Sequence, residues 1–262
     1  MEILAPAVAK KAQPGQFIIL RIDEHGERVP FTIADFDADK GTVTIIVQVV
    51  GKTTRDLQAY SEGMEILDFV GPLGMPTELE GKKKVAVIGG GLGTAIAYPQ
   101  AKKLHSMGAT VHLISGFRNK ELIILEDQLK EVSNKLIITT DDGSNGTKGY
   151  VSERLTELLE QGEEYDTVIA IGPLVMMKSI CDITKKYNIP TIVSMNPVMI
   201  DGTGMCGGCR VIVDGKIKFA CVDGPDFDGH LIDWDSALNR QSMYKAQENH
   251  SFAAGDCKLS SK

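Results

Sequence analysis

Val85-Ala86-Val87-Ile88-Gly89-Gly90-Gly91-Leu92-Gly93-Thr94-Ala95 sets four apolar residues directly against a run of glycines. A short, unbroken apolar run rich in valine and isoleucine describes a strand buried on both faces, as parallel sheets require. The glycines turn the chain into a helix, Thr94 to Met107, whose free N–H groups and dipole suit a pyrophosphate. Gly89, Gly90, Gly91 and Gly93 do not reproduce the G-x-G-x-x-G spacing, because Thr94 stands where the third glycine would be. A tight turn in any α/β domain reads the same way. The stretch decides the fold, not the ligand.

Toward the C-terminus, strand and helix patterns alternate. Strands are expected at Thr110–Ile114, Leu136–Thr140, Thr167–Ile171 and Thr191–Ser194, and helices at Glu121–Val132, Val151–Glu160 and Pro173–Tyr187. Apolar strands separated by amphipathic helices make a doubly wound parallel sheet covered on both faces. Pro173 suits a first helical turn, where a missing N–H costs nothing. In such a sheet the end of the second strand meets the adenosine ribose. There the chain carries Ser115-Gly116-Phe117-Arg118 rather than a lone acid. Arg118 can stack on adenine, meet a 2′-phosphate or simply face water, so NAD versus NADP stays open.

Toward the N-terminus, residues 1–80 read as strands and turns. Gln16–Ile22, Gly41–Val50 and Gly63–Val70 are strand candidates, the last closed by Gly71-Pro72-Leu73-Gly74, and Thr54 to Ala59 is the one helical candidate. Short strands with few helices suggest a small antiparallel barrel. Arg28-Val29-Pro30-Phe31-Thr32 places an arginine and a hydroxyl about a proline turn. Gly51-Lys52-Thr53-Thr54 opens the short helix and offers a second candidate phosphate cradle, although taken alone both segments read as loops of any barrel. It is not a Walker A loop, since Ile46 occupies the place of that motif's first glycine.

The cysteines carry the sharpest signal. Cys206, Cys209 and Cys221 crowd a glycine-rich segment, 199–235, with the spacing Asp201-x4-Cys206-x2-Cys209-x11-Cys221. Plant-type [2Fe–2S] clusters use C-x4-C-x2-C and a distant fourth cysteine. Here Asp201 takes the first place, and as a fourth ligand it brings a harder oxygen donor that alters the cluster's potential. The competing reading is a structural zinc site completed by a residue such as His230, but the chain has only one C-x2-C pair. Cys181, on a helical stretch, and Cys257, in the polar tail, read as a buried small residue and a spare thiol.

Composition excludes several classes. Hydrophobic residues make up 43% and charged residues 24%, with a net charge of −7. No basic cluster marks a nucleic-acid binder, no apolar run spans a bilayer, and the N-terminus lacks a secretory pattern. A cytoplasmic protein is expected. The five histidines do not cluster in sequence, and none is assigned an acid–base role.

Taken in order, Arg28-x-Pro30-x-Thr32, Gly51-x-Thr53-Thr54, Gly71-Pro72-x-Gly74, the Gly89–Ala95 turn, Ile171-Gly172-Pro173-x-x-Met176-Met177 and the cysteine loop resemble the ferredoxin–NADP reductase superfamily. More narrowly, the chain resembles the iron–sulfur flavoprotein subunits of dihydroorotate dehydrogenase B type. It also looks like the small subunits of NADH-dependent reduced ferredoxin:NADP oxidoreductase, also called sulfide dehydrogenase-like. Thr139–Ser144 and Asn196–Cys209 are its most specific stretches. The resemblance implies FAD held by Arg28, Pro30, Phe31, Thr32, Gly51, Thr53 and Thr54. It implies a nicotinamide nucleotide, NAD(H) or NADP(H), at Gly89, Gly90, Gly91, Gly93, Thr94 and Arg118, with Asp141, Gly172, Pro173 and Met176 lining the nicotinamide crevice. It implies a [2Fe–2S] cluster on Asp201, Cys206, Cys209 and Cys221. Hydride passes between nicotinamide and flavin in such proteins, and single electrons pass on through the cluster.

The implied partner is a larger iron–sulfur flavoprotein subunit, with ferredoxin reached through the complex. The orotate-type alternative is a dihydroorotate dehydrogenase catalytic subunit. Orotate-type subunits carry four cysteines, so Asp201 tilts the resemblance toward the ferredoxin:NADP branch. The expected domains are a FAD-binding barrel at 1–80, a Rossmann-like domain at 81–198, a cluster segment at 199–235 and a polar tail at 236–262. The resemblance leads one to expect about fifteen further residues, with the family's first strand, ahead of Met1, and without them a barrel edge would be unpaired.

Overall fold

The structure is a computed structural model that describes residues 1–243. Cys257 and most of the expected tail lie outside the described residues. The N-terminal part comprises β1 (Glu2–Leu4), α1 (Pro6–Ala9), β2 (Phe17–Arg21), β3 (Val29–Thr32), β4 (Asp35–Asp37), β5 (Thr42–Thr44), α2 (Lys52–Gln58) and β6 (Asp68–Leu73). Its strands form two antiparallel three-stranded sheets, ordered β1-β5-β4 and β3-β2-β6. Ile18, Leu20, Ile33, Val43, Ile45 and Leu57 are buried between them.

The second part comprises β7 (Lys84–Gly90), α3 (Gly93–Ser106), β8 (Thr110–Phe117), α4 (Glu126–Glu131), β9 (Lys135–Thr140), α5 (Val151–Glu160), β10 (Thr167–Ile171), α6 (Leu174–Lys186) and β11 (Thr191–Ser194). A two-stranded ribbon, β12 (Arg210–Val213) and β13 (Lys216–Phe219), follows, then β14 (Asp226–Asp228) and α7 (Trp234–Gln241). The large sheet has the order β14-β11-β10-β7-β8-β9, parallel throughout except for β14. The chain moves outward from β7 to β8 and β9, then crosses back to β10. The order therefore reverses between β7 and β10, where open α/β sheets bind ligands.

Residue alternation explains both faces. Val85 and Val87 pack under α3 with Ala97, Ala101 and Leu104. Ala86 and Ile88 face α5 and α6 with Leu155, Leu158, Met177 and Ile180. Burying each valine, leucine, isoleucine or methionine among them contributes about 1.5–3 kcal/mol, more than an exposed ion pair. The second core continues into Phe17 and Ile19 of β2 and into Cys209, Val211, Ala220 and Cys221. One apolar core thus joins all three expected regions.

Several expectations are corrected. Arg28–Thr32 is not a proline turn. Val29–Thr32 is an edge strand, where Pro30 removes no needed ladder bond. The strand expected at Gly63–Val70 lies later, at Asp68–Leu73, so Gly71-Pro72-Leu73 is strand rather than a closing turn. The register shifts opposite Phe17 and Ile19, and a Cβ on Gly71 would lie 2.6 Å from Ile18 Cγ2. The strand expected over 41–50 shrinks to Thr42–Thr44, because its partner β1 is only three residues long. The helix expected at Glu121–Val132 breaks at Leu125, whose φ of 58° is left-handed, into a 3₁₀ turn (Lys120–Leu122) and α4. Pro173 caps α6 with an extended ψ of 140° rather than sitting in its first turn. The start of the expected tail is α7, which packs on α6 and β12.

Candidate functional site at the carboxyl edge of the sheet

The glycine turn sits at the reversal point. Gly89 and Gly90 end β7, and Gly172 and Pro173 follow β10 beside them. The backbones touch: a Cβ on Gly172 would lie 3.1 Å from Gly90 Cα, and one on Gly90 would run into Met176 Sδ. Gly93 starts α3 against Ile171 O, leaving no room for a side chain. The expected residues Gly89, Gly90, Gly93, Gly172, Pro173 and Met176 are thus brought together. Gly91 donates its N–H to Gly116 O at 2.8 Å, and Thr94 donates to Gly91 O at 3.1 Å. The hydroxyls of Thr94, Ser115 and Thr139 are buried at this edge without a partner. Unpaired buried hydroxyls beside a glycine turn whose Gly91 faces open space fit a polar ligand such as a dinucleotide.

Arg118 is exposed just past β8, and Asp141 is exposed just past β9. Their loops are tied together. Asp141 N–H donates to Phe117 O at 2.9 Å, and Lys120 N–H donates to Ser144 Oγ at 2.8 Å. Asp142 Oδ1 accepts from Ser144 N–H (2.9 Å) and Oγ (2.7 Å). The Ser144 hydroxyl, foremost, and its N–H hold the Asp142 carboxyl below the usual range. The stretch Thr139–Ser144 is therefore a hydrogen-bonded loop, with Asp142 and Ser144 shaping it beneath Asp141.

On the N-terminal side, Gly51 caps α2, and Thr54 Oγ1 accepts from the Val50 and Gly51 N–H groups at 3.0 Å each. Buried Thr53 donates to Glu27 Oε2 at 3.1 Å, which sets this corner beside Arg28. Pro30, Phe31 and Thr32 lie on β3 opposite Ile19, Ile18 and Phe17. Arg28 reaches furthest: its Nε donates to Ile200 O at 3.0 Å, immediately before Asp201, and its Nη1 lies 3.7 Å from Asp68 Oδ2. The cysteine loop also rests on this sheet, since a Cβ on Gly202 would lie 2.8 Å from Leu73 Cδ1 and 3.0 Å from Ile19 Cγ1.

Within the loop, Cys209 and Cys221 are buried with their sulfurs 3.3 Å apart. Burial first, then the neighbouring Cys209 thiol, push the Cys221 thiol up to about 12. A bound cation would draw the Cys221 thiol toward the thiolate that metal ligation needs. Cys206 is exposed, and its sulfur accepts from Gly208 N–H at 3.5 Å. Asp201 Oδ1 accepts from Thr203 N–H and Oδ2 from Cys206 N–H, both at 2.7 Å. The Thr203 N–H, foremost, holds the Asp201 carboxyl below its ordinary range. Asp201 thus lies beside Cys206, while Cys209 and Cys221 form their own pair. Among the described residues no three His, Cys, Asp or Glu side chains already converge on one point. A loop rich in cysteine and glycine, with the Asp201 carboxylate beside Cys206, still has the donor chemistry of an iron–sulfur site. His230, the example offered for a zinc site, is engaged elsewhere, with its Nε2 hydrogen-bonded to Thr184 Oγ1 at 2.9 Å on α6.

Sequence reasoning missed Glu27, Arg240 (whose Nη2 donates to Gly208 O at 3.0 Å) and a buried knot of Thr77, Gln100 and Asp226. Each pairs residues far apart in the chain, so no local motif could have found them.

This arrangement of antiparallel sheets, nucleotide-binding parallel sheet and C-terminal cysteine loop is the ferredoxin-reductase-like class with an appended iron–sulfur domain. The profile of the iron–sulfur cluster binding domain of dihydroorotate dehydrogenase B matches residues 196–233. The dihydroorotate dehydrogenase B electron-transfer subunit homolog of Thermotoga maritima is 46% identical over 95% of this chain and 88% of its own. An uncharacterised protein of Clostridium beijerinckii is 54% identical over 95% and 86%. Among solved structures, one described for flavin-based electron bifurcation in NADH-dependent reduced ferredoxin–NADP oxidoreductase superposes with a TM-score of 0.91 at 45% identity, over 97% of this chain and 91% of that one. The chain belongs to the family of dihydroorotate dehydrogenase B electron-transfer subunits and is an oxidoreductase electron-transfer subunit. The expected cofactor classes, FAD, an iron–sulfur cluster and a nicotinamide nucleotide, stand with this fold and family. Among the described residues no helix is long and apolar enough to cross a membrane.

Proposed function

We propose that the chain moves electrons between NAD(P)H, FAD and a [2Fe–2S] cluster as the small subunit of a ferredoxin:NADP oxidoreductase complex. The observation that carries this reading is the Arg28–Ile200 hydrogen bond. It joins the residue that leads into the flavin-side strand β3 to the residue before Asp201. Arg28, Pro30, Phe31 and Thr32, with Gly51, Thr53 and Thr54, hold FAD. Gly89, Gly90, Gly91, Gly93 and Thr94 admit the nucleotide's pyrophosphate, and Arg118 meets its adenosine end. Asp141, Gly172, Pro173 and Met176 border the nicotinamide. Asp201, Cys206, Cys209 and Cys221 would ligate the cluster. Bound flavin and cluster supply the conversion of a two-electron hydride into single electrons. The protein's part is to place and insulate, and no side chain acts as general acid or base.

NAD(H) is the nucleotide we favour, as the names of the relatives suggest. The partner is a larger iron–sulfur flavoprotein subunit that relays to ferredoxin in the cytoplasm. The expected boundaries at 80, 198 and 235 divide the flavin, nucleotide and cluster roles. A second reading, the electron-transfer subunit of a dihydroorotate dehydrogenase, is favoured by the match at 196–233. Asp201, in place of a first cysteine, weighs against it. Isolation of the native complex decides: a large iron–sulfur flavoprotein supports the first reading, and a dihydroorotate-oxidising subunit replaces it with the second.

A further inference from the structure

Thr77, Gln100 and Asp226 come from three separate stretches and close a buried polar knot that no step above uses. Thr77 lies in the connector between β6 and β7, Gln100 is fully buried within α3, and Asp226 opens β14 opposite Ser194 of β11. The Thr77 hydroxyl donates to Asp226 Oδ2 at 2.5 Å and accepts from Gln100 Nε2 at 2.8 Å. Gln100 Nε2 also reaches Asp226 Oδ2 at 3.4 Å. The Thr77 N–H donates to Pro14 O at 2.9 Å, and a Cβ on Gly15 would run into Thr77 Oγ1. The knot therefore grips the entry to β2 as well.

Its surroundings are neutral. The side chains that bond the Asp226 carboxyl are the hydroxyls of Thr77 and Ser194 and the Gln100 amide, and it joins no ion pair among the described residues. Burial raises this carboxyl to about 6. Asp226 Oδ1 and Gln100 Oε1 are buried without partners. Such a half-satisfied polar cluster is a poor source of stability compared with apolar packing, but it tolerates only one arrangement of the elements it joins.

Those elements are the ones that carry function. α3 begins at the glycine cradle, β11 leads into the cysteine loop, and β2 and β6 bear the flavin-side sheet. Next to the knot, Met75 N–H donates to Gly224 O at 2.6 Å and Met195 N–H to Pro225 O at 2.9 Å. We propose that Thr77, Gln100 and Asp226 are positioning residues that fix how the N-terminal sheets sit on the nucleotide sheet, and so how nicotinamide meets flavin. The proposal rests on the electron-transfer reading for its kinetic consequence, and not for its structural one.

The test compares Thr77→Val, Thr77→Ser and Gln100→Leu in the full-length holoprotein. Amide hydrogen exchange is followed over residues 13–17 and 74–80, and flavin reduction by NADH is followed by stopped flow. Thr77→Val is expected to keep its FAD and cluster absorbance while residues 74–80 exchange about fivefold faster or more. Its flavin-reduction rate constant falls about tenfold or more with nucleotide affinity changed less than about threefold, because misplacement and not binding is at fault. Thr77→Ser restores both, and Gln100→Leu shows the same split more weakly. Wild-type exchange in both Thr77→Val and Gln100→Leu overturns the proposal. So does faster exchange with an unchanged rate constant, which marks a knot of stability alone. Should the wild type carry flavin that neither NADH nor NADPH reduces, the electron-transfer reading fails, and the exchange arm still decides whether the knot seats the sheets.

Discussion

Gly93 and Gly91 lie two residues apart in the same turn and answer to different constraints. A Cβ on Gly93 meets the backbone of Ile171 and Gly172, which cannot move aside, so Gly93→Ala should cost about 1–3 kcal/mol and weaken nucleotide binding. Gly91 faces open space at φ +55°, and Gly91→Ala should cost only about 1–2 kcal/mol of left-handed strain. Urea midpoints and nucleotide titrations of the two variants check the contrast. Asp226 gives a pH signature. Its carboxyl is raised from 3.8 to about 6 in the fold, so the folded state holds the proton more tightly than the unfolded chain. Its contribution to stability therefore falls as pH rises from about 4 to about 6, by up to about 3 kcal/mol. Asp226→Asn, which keeps an acceptor for Thr77, should be the more stable protein at pH 7.5, with the advantage vanishing near pH 4. An equal urea midpoint at both pH values would contradict this. At this scale the cysteine loop was legible because Asp201, Cys206, Cys209 and Cys221 lie close together in sequence. Asp226 was not, because Thr77 and Gln100 lie more than a hundred residues away.

Elements were legible in proportion to their length. The Val85–Ile88 run marked β7, and Thr167–Ile171, Thr191–Ser194 and Val151–Glu160 match β10, β11 and α5 to the residue, since apolar strands and long amphipathic helices repeat their signal. β1, β4 and β14 have three residues each, too few for an alternating pattern to register. The split of Glu121–Val132 hid for another reason: Leu125 adopts a left-handed conformation that nothing about leucine announces. Asn188 is the readable counterpart. It follows α6 at φ 55°, and Ile189 N–H closes the helix end on Thr184 O at 3.0 Å. Asn188→Ala should lower stability by about 1 kcal/mol, while Asn188→Gly should be neutral or slightly stabilising. Thermal melts of the pair check the assignment.

For the molecule as a whole, the core that runs from β2 through the large sheet to Cys209 and Cys221 sets how it responds to losing iron. Those two cysteines anchor the loop from inside the core, while Asp201 and Cys206 are held at its surface. Chelation should lower the melting temperature and speed hydrogen exchange over residues 196–225, yet leave the far-ultraviolet signal of the parallel sheet nearly intact. Collapse of the whole fold on chelation would mean that the cysteine segment is a keystone and not an attachment. Cys209→Ser should likewise lose the cluster's absorbance while flavin reduction by NADH persists. The most direct test is the iron, acid-labile sulfide and flavin content of the anaerobically purified chain. About two irons, about two sulfides and about one FAD per chain are predicted. A colourless protein that holds zinc, or no metal at all, would contradict the account.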